Sequence, residues 1–367
     1  MKILHLNAGN ETGGGMHHIL GLLNALNREE FVLGVLEKGE LYKRATSAGI
    51  RTVHFSSNTR MSIPLLHKMI RYIKRENISV VHTHGPRANV YANILKKLVS
   101  FHWIVTVHSD PRHDFKHKRL YGQLLTKLNV RAVKNANRVI AISDPFRSNL
   151  TKAGVEDQKI VTALNGIDFR KKTDESYVKT DYGFSEKDFL FLMVARLEPV
   201  KGHHIAIKAI AEVVKQRENC HLLLLGDGSL QGELKTLARK LGIEAHVHFL
   251  GHRDDADCFY HMADITMLTS FSESFPLVLL ESARAKTPVI TTDVGGIGEL
   301  IPNKSLGWRT NPGNVRDLTL AMGEALFFHK KNMLHLMGNK LHSHASSRFS
   351  VEIFAENVYN VYKRIDM

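Results

Sequence analysis

The chain of 367 residues is 43% apolar and 23% charged, an ordinary globular make-up but too long for a single core, so two domains are expected. No apolar run approaches the roughly 20 residues of a membrane span, the start M-K-I-L-H-L-N lacks the apolar stretch and cleavage site of a secretory signal, and two distant cysteines, Cys220 and Cys258, argue against a disulfide framework and fit a reducing cytoplasm. A net charge of +14 favours phosphate-bearing partners.

Short apolar runs alternate with amphipathic stretches along the whole chain, the pattern of βαβ units and parallel sheets. In the first half the runs predict strands at Ile3–Leu6, Phe31–Leu36, Thr52–Phe55, Val80–His82, Trp103–Val107, Arg138–Ala141 and Ile160–Ala163. Helices are predicted at Met16–Asn27, Ile63–Glu76, Ala88–Val99 and His117–Asn135. Polar sequence without sustained period, 169–188, reads as a linker. In the second half strands are predicted at Phe189–Val194, His221–Leu225, Val247–Leu250, Ile265–Leu268 and Val289–Thr291. Helices are predicted at Gly202–Arg217, Ser229–Leu241, Pro276–Arg284 and Val315–Phe328, and a last amphipathic one at Phe349–Ile365 with Ser350 as its N-cap. The expected domains are therefore 1–168 and 189–348, joined by 169–188, with 349–367 as a terminal helix.

Between Lys96 and Arg138 ten Lys/Arg face two acids, Asp110 and Asp114. The stretch Arg112–Leu128 reads as a basic amphipathic helix, either a solvated face or a surface for anionic lipid. Nucleic acid is not an expected partner, because no known module appears and aromatics do not interleave with the basic residues. The 22 histidines show no ligand spacing such as H-E-x-x-H, so no metal site is expected from the sequence.

Four stretches carry candidate chemistry. Gly13–Gly14–Gly15 follows the first strand and precedes a helix, where backbone N–H groups can meet a phosphate. Arg196 and Lys201, in V-A-R-L-E-P-V-K-G, follow the strand Phe189–Val194, at the edge where open parallel sheets bind ligands. Gly226 opens the string G-D-G. Glu273 and Glu281 stand eight positions apart in S-E-S-F-P-L-V-L-L-E. Pro276 suits a helix start, which would leave Glu273 in the loop and put Glu281 on the helix. Carboxylates so placed can hold sugar hydroxyls through strong hydrogen bonds, although a loop acid and a helix-surface acid are also the plain reading. His108 ends the fifth strand in T-V-H-S-D. His82 and His84, in V-H-T-H-G, end the fourth, either lining an acceptor or serving structure. The acidic string Asp254–Asp257 reads as a helix N-terminus.

Taken in order, the strand with R-x4-K-G, the G-D-G, the two glutamates and T-P-V-I-T-T-D-V-G-G (Thr287–Gly296) resemble the nucleotide-sugar half of a retaining glycosyltransferase of the GT-B fold, glycosyltransferase family 4. G-G-G-M-H-H-I resembles that family's G-G-x-E-x-H loop, with Met16 where glutamate is frequent and His18 at the histidine. N-G-I-D (Asn165–Asp168) resembles its hinge motif. Ser274 stands where the family often has glycine. The resemblance implies two Rossmann-like domains with parallel sheets facing across a cleft, and a terminal helix that crosses back to the first. It implies transfer of a sugar from a nucleoside-diphosphate donor, most commonly a UDP-sugar, to an acceptor hydroxyl. Arg196 and Lys201 would hold the diphosphate, with Gly14, Gly15, Gly226 and the backbone of Ser274, Phe275, Pro276 and Leu277 beside the donor. Glu281 would hold the ribose. Glu273 and His108, with Arg196 and Lys201, would serve catalysis at the sugar. No metal or further cofactor is implied. A lipid-linked glycan of exopolysaccharide, capsule or wall synthesis, taken at the inner membrane face by a peripheral cytoplasmic enzyme, is the acceptor such a basic first domain suits. A sugar-nucleotide epimerase and a non-catalytic nucleotide-sugar scaffold are the competing classes.

Overall fold

The computed structural model describes residues 1–11, 13–26, 29–56, 62–108, 119–173 and 177–364, the side chains of 119–121 excepted. It divides into two compact units, Met1–Asp168 with Val351–Met367, and Phe169–Ser350.

The first unit is built on seven strands: β1 (Ile3–Asn7), β2 (Phe31–Val35), β3 (Thr52–His54), β4 (Val80–His84), β5 (His102–Val107), β6 (Arg138–Ala141) and β7 (Ile160–Thr162). They lie in the order β3-β2-β1-β4-β5-β6-β7, every pair parallel. Crossover helices cover both faces, so strands such as β1, β2 and β4 are buried along their whole length. Leu4, Leu6, Val81, Trp103 and Val105 pack on one face. Ile3, Val80, Ile104 and Ile140 pack on the other, under the helices Gly14–Ala25 and Val351–Lys363. The terminal helix supplies Phe354, Val358, Val361 and Tyr362 to that core.

The second unit carries six strands: β8 (Phe189–Val194), β9 (Cys220–Leu225), β10 (Val247–Gly251), β11 (Ile265–Leu268), β12 (Val289–Thr292) and β13 (Trp308–Thr310). Their order is β10-β9-β8-β11-β12-β13, again all parallel. The run F-L-F-L-M-V of β8 splits by alternation: Phe189, Phe191 and Met193 face one core, Leu190 and Leu192 the other. Residues 169–188 group with this unit. Tyr177, Tyr182 and Phe184 pack with Phe259 and Tyr260, and Lys179–Tyr182 form one 3₁₀ turn.

Every strand read from the sequence is present, shifted by two residues at most. β13 was not anticipated, because its three residues W-R-T are too short to show a period. The helices Glu40–Ser47, Asp144–Lys152, Ile297–Leu300 and Leu334–Arg348 were likewise unread, while Ala256–Met262 starts in the acidic string read as a helix N-terminus. Most are short or polar, so their apolar stripe is only two or three residues wide, as with Leu41 and Ala45. The start of the helix expected at His117–Asn135 and residues 112–118 of the basic stretch Arg112–Leu128 lie outside the described residues; the helix is described from Arg119 to Lys134.

Phe354 is 2% exposed and joins the terminal helix to the first sheet. Its change to Ala is expected to lower unfolding free energy by about 3–5 kcal/mol, read by denaturant titration; a loss below about 1 kcal/mol would show that the terminal helix contributes little to that core.

Candidate active site

In each sheet the strand order reverses once, between β1 and β4 in the first and between β8 and β11 in the second. At such switch points the connections leave in opposite directions and open a crevice at the carboxyl ends of the strands.

In the second unit, Ala195 and Arg196 follow β8, and the loop 269–276 follows β11. Arg196 is exposed and makes no ion pair among the described residues. Lys201 ends a 3₁₀ turn, Pro199–Lys201. Its Nζ lies 2.6 Å from Oε1 of Glu273, the two side chains being 19% and 11% exposed. The Ser270 hydroxyl donates to the same oxygen at 2.6 Å. Ser270 is itself held by Thr292, whose hydroxyl donates to the Ser270 carbonyl. Glu273 is thus a carboxylate fixed by a cation and a hydroxyl at the mouth of the switch point.

The helix next to this loop spans Leu277–Arg284, with Pro276 as its N-cap rather than its first residue. The shift of one residue leaves Glu273 in the loop and Glu281 on the helix. Tyr260 donates its hydroxyl to Oε2 of Glu281 at 3.0 Å, and burial together with that carboxylate holds the phenol well above its ordinary pKa. Phe275 is buried against Phe349, with ring centroids 5.0 Å apart, so only its backbone remains for a ligand. Gly295 has φ +59°, and a Cβ there would stand 2.1 Å from the carbonyl oxygen of Glu273. Gly226 has φ +131° and would place a Cβ 2.3 Å from the carbonyl of Ala195. Both glycines let a neighbouring strand end approach the loop that carries a charged residue.

In the first unit, Gly13 is the N-cap of the helix Gly14–Ala25, with Gly14 and Gly15 in its first turn. The Glu11 carboxylate fills the space beside Gly15, where a Cβ would meet it at 2.3 Å. Asn7 donates to Glu11 at 2.6 Å, while burial raises the glutamate's pKa. The sequence reading passed over Glu11, although Met16 leaves this loop's usual carboxylate position empty.

His82 and His84 do not line an open acceptor surface: both are fully buried. Register explains where they go. His5 pairs across with His82, and His84 with Thr106. Alternation then puts His5, His82, His84, Thr106 and His108 in one row on the face that also receives His18 and Tyr362. The Nε2 of His82 lies 2.7 Å from the Thr106 hydroxyl, and its Nδ1 lies 2.6 Å from Tyr362. His5 bridges Tyr362 at 3.2 Å and His84 at 3.0 Å, and His84 meets His108 at 3.3 Å. His5 was the missed member. An imidazole inside the apolar strand I-L-H-L is the only sequence signal for it. Burial pushes His5 down to about 3 and His18 to about 4, and holds His82, His84 and His108 well below the ordinary value.

Two parallel sheets, each with one switch point, define an α/β protein of the doubly wound class, and comparison with known proteins names its family. Residues 12–171 match the model of glycosyltransferase family 4, and residues 176–339 that of glycosyl transferases group 1. The chain belongs to this glycosyltransferase family and has its GT-B fold. It is 28% identical over 325 residues to the N-acetyl-alpha-D-glucosaminyl L-malate synthase of Bacillus anthracis, covering 82% of this chain and 78% of that one. It is 23% identical over 320 residues to the UDP-Gal:alpha-D-GlcNAc-diphosphoundecaprenol alpha-1,3-galactosyltransferase of Escherichia coli, covering 82% and 79%. Its fold superposes on Anabaena Alr3699/HepE in complex with UDP-glucose at a TM-score of 0.86 and 22% identity, covering 99% of this chain and 100% of that one.

The buried histidines give stability a pH dependence of definite sign. Their folded pKa values lie below the unfolded value of about 6.5, so below that pH the unfolded chain binds more protons. Stability is complete above about pH 6.5 and falls as pH drops towards about 4, where His18 and, in the second unit, His203 and His248 also titrate. Each histidine contributes a slope of up to about 1.4 kcal/mol per pH unit. Denaturant midpoints at pH 7.5 and 5 should differ accordingly; equal midpoints would mean the row is charged or hydrated in the folded state.

Proposed function

We propose that this chain is a retaining glycosyltransferase that moves a sugar from a UDP-sugar to the hydroxyl of a lipid-linked glycan. The observation that carries the reading is the Lys201–Glu273–Ser270 constellation beside exposed Arg196 at the switch point of the second sheet. As the bond from sugar to diphosphate breaks, negative charge builds on the leaving phosphate. Arg196 grips it as a fork and Lys201 as a point charge, and both act more strongly on the transition state than on the ground state. Glu273 accepts from the donor sugar's hydroxyls while Lys201 and Ser270 hold it in place. Glu281, oriented by Tyr260, accepts from the ribose. The backbone of Ser274 and Phe275, Pro276, and the first N–H of the helix at Leu277 border the donor, as Gly226 does from the end of β9. In the first unit Gly14 and Gly15 offer helix N-terminal N–H groups, and His108 assists the charge that develops on the sugar.

No side chain is assigned as a covalent nucleophile. The departing phosphate takes the acceptor's proton and the new bond forms on the face the leaving group vacates. Supporting the donor are the relatives above whose names carry UDP, and supporting the acceptor is the diphosphoundecaprenol-linked substrate named for one of them.

Calorimetry against uridine, guanosine, adenosine and thymidine diphosphates should show selective binding of UDP, weakened in Arg196→Ala. Glu273→Ala should lose transfer rate far more than donor affinity, by about 2–4 kcal/mol of barrier, roughly 30- to 1000-fold. Binding of no nucleotide, or a wild-type rate without Glu273, would refute the assignment. Donor turnover without any acceptor would favour an epimerase.

Approach to a lipid-linked acceptor has its own support. On the helix Arg119–Lys134, Leu124 and Leu128 are 54% and 43% exposed, one turn apart, among exposed Lys127 and Arg131. Such a face suits an anionic bilayer surface. The chain should sediment with vesicles containing anionic lipid and release as salt rises. Leu124→Glu should weaken that binding; equal sedimentation with neutral and anionic vesicles would remove the membrane reading.

A further inference from the structure

One ring nitrogen each of His18, His84 and His108 lies within 4.8 Å of the others, as does one each of His5, His82 and His84. The inner group is spoken for. His82 is bonded at both nitrogens, to Tyr362 and Thr106, and His5 is bonded at both, to Tyr362 and His84. The outer group is different. The Nδ1–H of His18 donates to Oδ1 of Asn165 at 2.7 Å. That fixes its proton on Nδ1 and leaves a lone pair on Nε2. Nε2 is buried and has no hydrogen-bond partner among the described residues. An orphaned acceptor of this kind costs free energy unless something meets it.

The distances also separate the two groups. The His5–His84 contact is 3.0 Å, that of an ordinary hydrogen bond between rings. The Nδ1 of His84 and the Nε2 of His108 stand 3.3 Å apart. Ligand nitrogens about 2.0–2.1 Å from a tetrahedral zinc ion are about 3.3 Å from one another.

We propose that His18 Nε2, His84 Nδ1 and His108 Nε2 form a zinc site in the first unit, with the fourth vertex left for water or a small anion. The proposal gives the His108 ring to the metal, so it would replace the role given to that one residue in the glycosyltransferase reading and leaves the Lys201–Glu273 site untouched. Three imidazoles without a carboxylate or thiolate suit zinc among the abundant divalent ions. The two cysteines are free and buried in the other unit. The second shell of His84 is consistent proton by proton, and the ion would take the place of the His108 Nε2 proton that its Nδ1 otherwise accepts. With His84 Nδ1 bare, its Nε2–H donates to His5 Nδ1. His5 Nε2–H donates to the Tyr362 oxygen, Tyr362 O–H to His82 Nδ1, and His82 Nε2–H to Thr106. Asn165 does the same service for His18. Partners of this kind orient ligating histidines and set their tautomers. Burial keeps all three rings neutral, as ligands must be. His108 is the half-buried member and gives the ion its way in.

Chelator-treated full-length protein should bind one equivalent of zinc in competition with a chromophoric chelator. Cobalt should give the visible bands of a tetrahedral nitrogen site. His18→Ala should abolish this binding, and Asn165→Leu, which touches only the second shell, should weaken it about 10- to 100-fold. His248→Ala, in the other unit, should leave it unchanged. Far-UV circular dichroism identifies any variant that fails to fold, and His108→Ala then replaces it. No binding by the wild-type chain, or binding that the folded His18→Ala or His108→Ala variant retains, would overturn the site.

Discussion

A parallel sheet covered by helices on both faces has no room for chemistry except at its ends. Each crossover returns the chain to the amino end of the next strand, so the loops that can bear function gather at the carboxyl edge. Two of the seven strands of the first sheet and two of the six of the second meet where the chain reverses direction across the sheet. Arg196, Lys201 and Glu273 come from the ends of β8 and β11, and the histidines from β1, β4 and β5. Nothing in local sequence brings these groups together. The order of strands does.

The Lys201–Glu273 pair shows what such an edge can hold. Both side chains are mostly withdrawn from water, and a half-buried ion pair is costly unless its remaining bonds are met. Ser270 meets one of them, and its own position is fixed by Thr292 on β12. The pair therefore rests on a strand rather than on a mobile loop. In the proposed reaction, a charge held this rigidly would not have to be reoriented as the leaving group develops its own.

Strands were legible because parallel strands buried on both faces are apolar throughout, as β8 is, and β13 was lost because three residues carry no period. Of the site, Arg196, Lys201, Glu273 and Glu281 could be read from spacing and resemblance. Their partners could not. Ser270 and Tyr260 are common residue types, and what makes them matter is contact, to Glu273 and to Glu281, across 3 and 21 positions. Gly226 was read as a ligand residue, and the structure adds a packing reason for it at Ala195. His82 and His84 were visible as a pair but not as buried. Their place in the interior depends on β1 and β5 flanking β4, information that lies about 20 and 80 residues away in the chain.

The histidine row also constrains the fold itself. Side chains alternate faces along a strand, so slipping β4 by one residue would turn His82 and His84 into the core of Leu4, Val81, Trp103 and Val105. The polar groups on that face are already bonded to one another, the Trp103 indole to Thr83 and Thr83 to Asn89, so two imidazoles turned into it would lose the row's bonds and each carry a desolvation penalty. In the native register every bond runs between elements that are far apart in sequence: β1 to β4, β4 to β5, and β4 to the terminal helix through Tyr362, 280 positions away. An all-apolar row would bury as much surface and would tolerate the slip. The polar row tolerates one arrangement, which ties the last helix of the chain to the strands formed by its first hundred residues.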